Sequence, residues 1–184
     1  MRVADALDLC SKWLPFFERN TNRWFGQMMR PVRDAANVAS GRMSEGLRAL
    51  QAGIADSQAR DMWSAATIGE IAMLGVYVSV ACQDVKPSFG ALVRNPWFVF
   101  TQAPFAAHKA LALIERLRID LPERNSDGSL GGVDLCDGRL HVRQGKTVQA
   151  RECLERVRRR LRDAGIDHVP APVAALAAEI ERSR

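Results

Sequence analysis

"VDLCDGRLHVRQGK", residues 133–146, decides whether the C-terminal third of the chain is sheet or helix. At its centre Asp137-Gly138 favours a two-residue type I′ turn, because both central positions of that turn need positive φ. Pairing outward from the turn sets Cys136 against Arg139, Leu135 against Leu140, Asp134 against His141 and Val133 against Val142. With a side-chain period of two, Val133, Leu135, Leu140 and Val142 share one face, and Asp134, Cys136, Arg139, His141 and Arg143 share the other. The stretch therefore reads as a β-hairpin.

Two strands alone are unstable in water, so the apolar face needs a cover. The following segment supplies one. In "TVQARECLERVRRRLRDAG", residues 147–165, Ala150, Leu154, Val157, Leu161 and Ala164 recur at helical spacing, with Thr147 as cap and Gly165 as stop. A last helix over 172–182, with Val173, Leu176, Ala177 and Ile180 inward, completes a small core.

Charge is concentrated in the same place. Between Arg139 and Arg162 nine basic residues stand against Glu152 and Glu155, a local charge of +7 in a chain of total charge +5. An excess of this kind favours anionic partners. The expected nucleic-acid contacts are Arg139, Arg143, Lys146, Arg151, Arg158, Arg159 and Arg162. Two observations pull the other way. Of 26 basic residues 22 are Arg in an Ala-rich chain, which a coding bias also produces. Glu152 and Glu155 stand four residues before Arg156 and Arg159, as on an ordinary solvated helix.

Upstream, residues 1–118 read as helical. Val3, Leu7, Cys10 and Leu14 mark a first helix that Pro15 kinks or ends. Phe17, Thr21, Trp24, Phe25 and Met28 mark a second, closing before Pro31 and placing Trp24 and Phe25 in the core. A long third helix is expected from Val32 to Ile54, with small residues that permit tight helix pairing. Met62 to Cys82 is apolar nearly all round after Glu70; its uninterrupted part, Ile71 to Cys82, is twelve residues against the roughly 20 a span needs, so a core helix is preferred. "WFVF", residues 97–100, is consistent with strand or helix. Ala107, Leu111, Ile114 and Leu117 then form the inward stripe of a helix begun by Pro104, with His108 at the core or its boundary. "LPERNSDGSLGG" has the composition of a linker.

The expected fold is thus mainly α: a helical bundle over 1–120, a linker at 121–132, and an α+β appendage of β-hairpin and two helices over 133–184. Four cysteines without a close pair, and three histidines without zinc-finger spacing, read as a reduced chain with no metal and no cofactor. Asp5 and Asp8 interrupt any secretory leader, so a cytoplasmic location is expected. No glycine-rich phosphate loop, HExxH or nucleophile elbow occurs. The resulting expectation is a non-enzymatic, nucleic-acid- or polyanion-binding subunit of a larger assembly, with protein partners or self-association and no membrane span. The alternatives are a self-associating helical scaffold built on the Val32–Ile54 region and the apolar helix around Met73, and a cysteine-dependent enzyme using Cys136 with His141 beside Asp134.

Overall fold

A computed structural model describes residues 3–19, 23–84, 87–124 and 126–183, and among these there is no β-strand. The chain divides into two compact units, Met1–Ala106 and Ala107–Arg184. Residues 107–132, expected to be the last bundle helix and the linker, fall in the second unit.

In the first unit α1 (Val3–Arg19), α2 (Arg23–Ala39), α3 (Met43–Ala59) and α4 (Trp63–Ala81) are followed by a short α5 (Phe89–Arg94), a π-helical turn at Phe98–Gln102 and a 3-10 turn at Ala103–Phe105. The central helix is α2, which packs against α1, α3 and α4, while α3 also packs against α4. Pro15 and Pro31 both lie inside helices rather than at their ends. The long helix expected from Val32 to Ile54 is instead two, because Gly41 takes φ +96° and the chain reverses. The Gly41 N–H donates to Val38 and the Arg42 N–H to Asn37, closing the end of α2 in the manner of a left-handed cap. The small residues of this region do serve close pairing, within the unit. A Cβ on Gly46 would lie 2.5 Å from the Asp34 carbonyl oxygen of α2.

Helix α4 is long and apolar enough to cross a membrane by length and composition, and half of that apolar window is buried inside the unit. Its one acid, Glu70, is fully buried and accepts a hydrogen bond from Gln58 Nε2 at 3.1 Å. Residues 97–100 fall in helical turns. Asn95 fixes this segment to the α2–α3 turn: its Oδ1 accepts from the Ser44 N–H at 2.9 Å and its Nδ2 donates to the Gly41 carbonyl at 2.9 Å. Trp24 and Phe25 are half exposed, packed edge to face on each other rather than in the core. Thr21 lies outside the described residues.

In the second unit α6 (Ala106–Glu123), α7 (Leu130–Arg143), α8 (Thr147–Asp163) and α9 (Ala171–Arg182) form an all-helical arrangement. The expected β-hairpin and α+β appendage are absent; residues 133–146 are most of α7 and the turn that follows. Leu130, Val133, Asp134, Asp137, Gly138 and Leu140 are the buried residues of α7, a spacing of three and four that only a helix satisfies. Gly138 is needed not for a turn but for close approach, since a Cβ there would lie 2.8 Å from Leu176 Cδ2 and 3.2 Å from Cys153 Cβ. The reversal comes later, at Gly145 with φ +72°. The stripe expected on α8 is buried at Ala150, Leu154 and Val157 and meets Val173, Leu176 and Ile180 of α9. On α6 the buried face is Ala106, Ala110, Leu113, Ile114, Leu117 and Leu121; Ala107 and His108 are exposed.

Two glycines of α3 should respond oppositely to alanine. Gly46→Ala forces α3 away from α2 and is expected to lower stability by about 2 kcal/mol, whereas Gly53, whose Cβ would meet nothing, should gain about 1 kcal/mol. Urea unfolding followed by far-UV circular dichroism checks both.

Candidate functional site

Helical spacing places Asp134, Asp137 and His141 on one side of α7, and that side faces α6 and α8. Both carboxylates are shut off from water, at 2% and 4% exposure. Three arginines enclose them. Arg118 of α6 reaches Asp134 Oδ1 at 3.0 Å and Asp137 Oδ2 at 2.7 Å with the same Nη2. Arg156 of α8 donates from Nε to Asp134 Oδ1 at 2.9 Å, and Arg160, one turn on, approaches Asp134 Oδ2 at 3.4 Å. Desolvation opposes the charge on Arg118, but hydrogen bonds and Coulomb attraction from Asp137 and Asp134 outweigh it and hold its pKa above the ordinary value. Arg156 is raised in the same way: burial, the largest single influence, works against it, and the hydrogen bond and Coulomb attraction of Asp134 contribute most of what outweighs it.

Cys153 and His141 complete the cluster. The Cys153 thiol lies 3.5 Å from Asp137 Oδ2 and accepts from Arg156 Nη2 at 3.1 Å. Burial first, and the Asp137 charge second, push its pKa up to about 11, so the sulfur is a protonated thiol at neutral pH. His141 Nε2 sits 3.3 Å from Asp137 Oδ1, and its Nδ1 is buried without a hydrogen-bond partner. Asp137, His141 and Cys153 place one donor atom each within 4.8 Å of one another, the metal-compatible grouping among the described residues. The guanidiniums of Arg118 and Arg156 already stand against the same carboxylate. A cation there would meet two positive charges, so arginine, not a metal, supplies the compensating charge. The expected pairing of Cys136 with His141 is not assembled: five residues apart on one helix, they are turned about 140° from each other.

The seven expected nucleic-acid contacts lie on α7, the α7–α8 turn and α8. Arg143, Lys146, Arg151, Arg159 and Arg162 are exposed, and their side chains make no hydrogen bond or ion pair with a described residue. Arg158 is half-buried and pairs with Glu155 at 2.8 Å, and Arg139 is half-buried with Glu179 Oε2 at 3.7 Å. Arg139 and Arg143, expected to project from a sheet, both stand on a helix. That Arg118, Arg156, Arg160, Asp137 and Cys153 form one group was not expected. The signal was present as Asp134, Asp137 and His141 at offsets of three and seven, facing Cys153, Arg156 and Arg160 at the same offsets.

Comparison of the chain with protein-family models, with curated proteins and with solved structures returned no match.

The cluster predicts an asymmetry. Its guanidiniums are 38–40% exposed on their side chains and can turn to water, whereas the carboxylates cannot. Arg118→Met with Arg156→Met takes both guanidiniums from buried Asp137 and should lower stability by about 3 kcal/mol or more, against a smaller loss for Asp137→Asn, both read from urea unfolding. The thiol makes a second prediction. With its pKa near 11, iodoacetamide at pH 8 should modify Cys153 in the native protein about 100-fold or more slowly than free cysteine, read by peptide mass mapping.

Proposed function

We propose that the chain is a nucleic-acid- or polyanion-binding subunit that makes its contact through the outer face of α8 and the turn preceding it. The supporting observation is that five of the seven expected contact residues, Arg143, Lys146, Arg151, Arg159 and Arg162, are solvent-facing and not neutralised by a described acid. Arg156 and Arg160 contribute less to this contact, because Asp134 already balances part of their charge. Eleven residues separate Arg151 from Arg162 on the helix, a rise of about 16 Å, enough to follow roughly five phosphates of one strand. Binding of this kind is electrostatic and indifferent to base sequence. The role is one of binding rather than catalysis: the nearby thiol is protonated and both carboxylates are engaged by arginine.

A second reading, self-association, is favoured by a different observation. Trp13, Phe16, Trp24 and Phe25 are 41–51% exposed and form one aromatic cluster with Phe17 at the α1–α2 junction, mostly through edge-to-face contacts. Contiguous exposed apolar surface marks an interaction site. Light scattering on the wild type and on Phe16→Ser with Trp24→Ser tests it, with a lower mass expected for the variant.

For the leading reading, Arg151→Ala, Arg159→Ala and Arg162→Ala together should weaken binding to unrelated duplexes alike. The slope of log K against log salt should become shallower by about 2 to 3. Filter binding across a salt series measures both. Unchanged affinity overturns the proposal.

A further inference from the structure

The first unit contains a cavity of about 370 Å³ that the basic face of the second unit does not explain. One wall is a single stripe of α4, Ala72, Gly75, Val76, Ser79 and Val80, which recur at helical spacing, with Gln83 just past the helix end. Opposite stand α2 and the start of α3, and the 87–103 segment, pinned by Asn95, closes a third side. No charged side chain lines it. Its volume is more than twice the roughly 150 Å³ of an engineered apolar cavity that takes benzene, and falls within the range of small-molecule sites.

Two positions at this wall hold a residue their backbone disfavours, in opposite senses. Gly75 lies in the middle of α4, where alanine forms helix better, and a Cβ there would meet nothing within 4 Å. Unlike Gly46, it is not required by a neighbouring backbone; what its missing side chain leaves is cavity. Gln83 follows the C-terminus of α4 with φ +60°, a conformation normally given to glycine. It is exposed, at the rim of the cavity, with half-buried Ser79 one turn further in. The π-helical turn that contributes Phe98 is a third departure from regular helix at the same cavity. The Gln83 conformation closes α4 as Asp61 closes α3; what sets this wall apart is that a mid-helix glycine, a π-helical turn and an uncharged lining meet at one cavity.

We propose that this cavity binds a neutral, mainly apolar small molecule, on the scale of a medium-chain alcohol or a bicyclic ring system, with its one hydrogen-bonding group directed to Ser79 and Gln83. A charged ligand is disfavoured because no counter-charge lines the wall and its desolvation would go uncompensated.

The test uses the full chain and N-phenyl-1-naphthylamine, a neutral fluorescent probe. The expected result is saturable binding of one probe per chain, displaced by 1-decanol and displaced less effectively by decanoate. Gly75→Leu fills the cavity and should lower probe affinity about tenfold or more while raising Tm by about 3 °C. Gly75→Ala should act in the same direction more weakly, which keeps the test decisive if the leucine variant does not fold. Gln83→Gly should raise Tm and weaken displacement by the alcohol. Non-saturable uptake, or full probe affinity retained in both Gly75 variants, overturns the proposal; so does stronger displacement by decanoate than by decanol. Because duplex binding is read separately, failure here leaves the reading of α8 intact.

Discussion

The second unit is organised by two carboxylates that have no access to water. An ionised group in such a place must be given partners by the chain itself, and Asp134 and Asp137 take theirs from α6 and α8 at once. That requirement fixes more than charge. Only a helical α7 puts positions 134, 137 and 141 on one side; only one register of α8 brings Arg156 and Arg160 to Asp134, with Cys153 against Asp137; and Arg118 sets α6 along the same pair of acids. An apolar cluster of equal volume could match it in stability. What the ionic cluster adds is a single way for the three helices to meet.

The same cluster sorts the arginines of α8 by function. Residues 156 and 160 face inward and are held; residues 151, 159 and 162 face outward and are not. The outer surface is therefore less basic than the +7 of the linear segment implies, and the polyanion reading rests on the smaller outward set. Chemistry near the acids is restrained by the same arrangement. A thiol hydrogen-bonded to a buried carboxylate is held protonated, which is opposite to what a nucleophile needs.

The parts of the fold legible in the sequence are those where apolar residues mark the buried face. The stripes of α8 and α9 were readable for that reason, as was the core role of α4. Residues 133–146 were not, because the buried face of α7 carries two acids and a glycine. With those positions not apolar, the buried Val133 and Leu140 and the partly buried Leu135 and Val142 fall into alternation by chance. Asp137-Gly138 strengthened the error: the dipeptide that favours a turn is here an ionic anchor followed by a close helix crossing. The break at Gly41 was hidden differently. Apolar spacing continues across it, since α2 and α3 both face the same core, so periodicity alone joined two helices into one.

Why α4 lacks a polar face also follows from what surrounds it. An all-apolar helix must be covered on every side, and here α2 and α3 cover two of them. The third side meets the 87–103 segment, directly where the Tyr77 hydroxyl lies 3.4 Å from Gln102 Oε1 and across open space at the cavity. Helical glycines in this unit separate the covered sides from the open one. At Gly69 a Cβ would press on Ile54 of α3 at 2.7 Å, so the glycine is a packing requirement; at Gly75, less than two turns on, nothing is within reach. One helix thus uses glycine once to admit a neighbour and once to leave room. The second use makes physical sense where something outside the polypeptide fills the space, and that places the binding capacity of the first unit on the one side of α4 that its own helices leave uncovered.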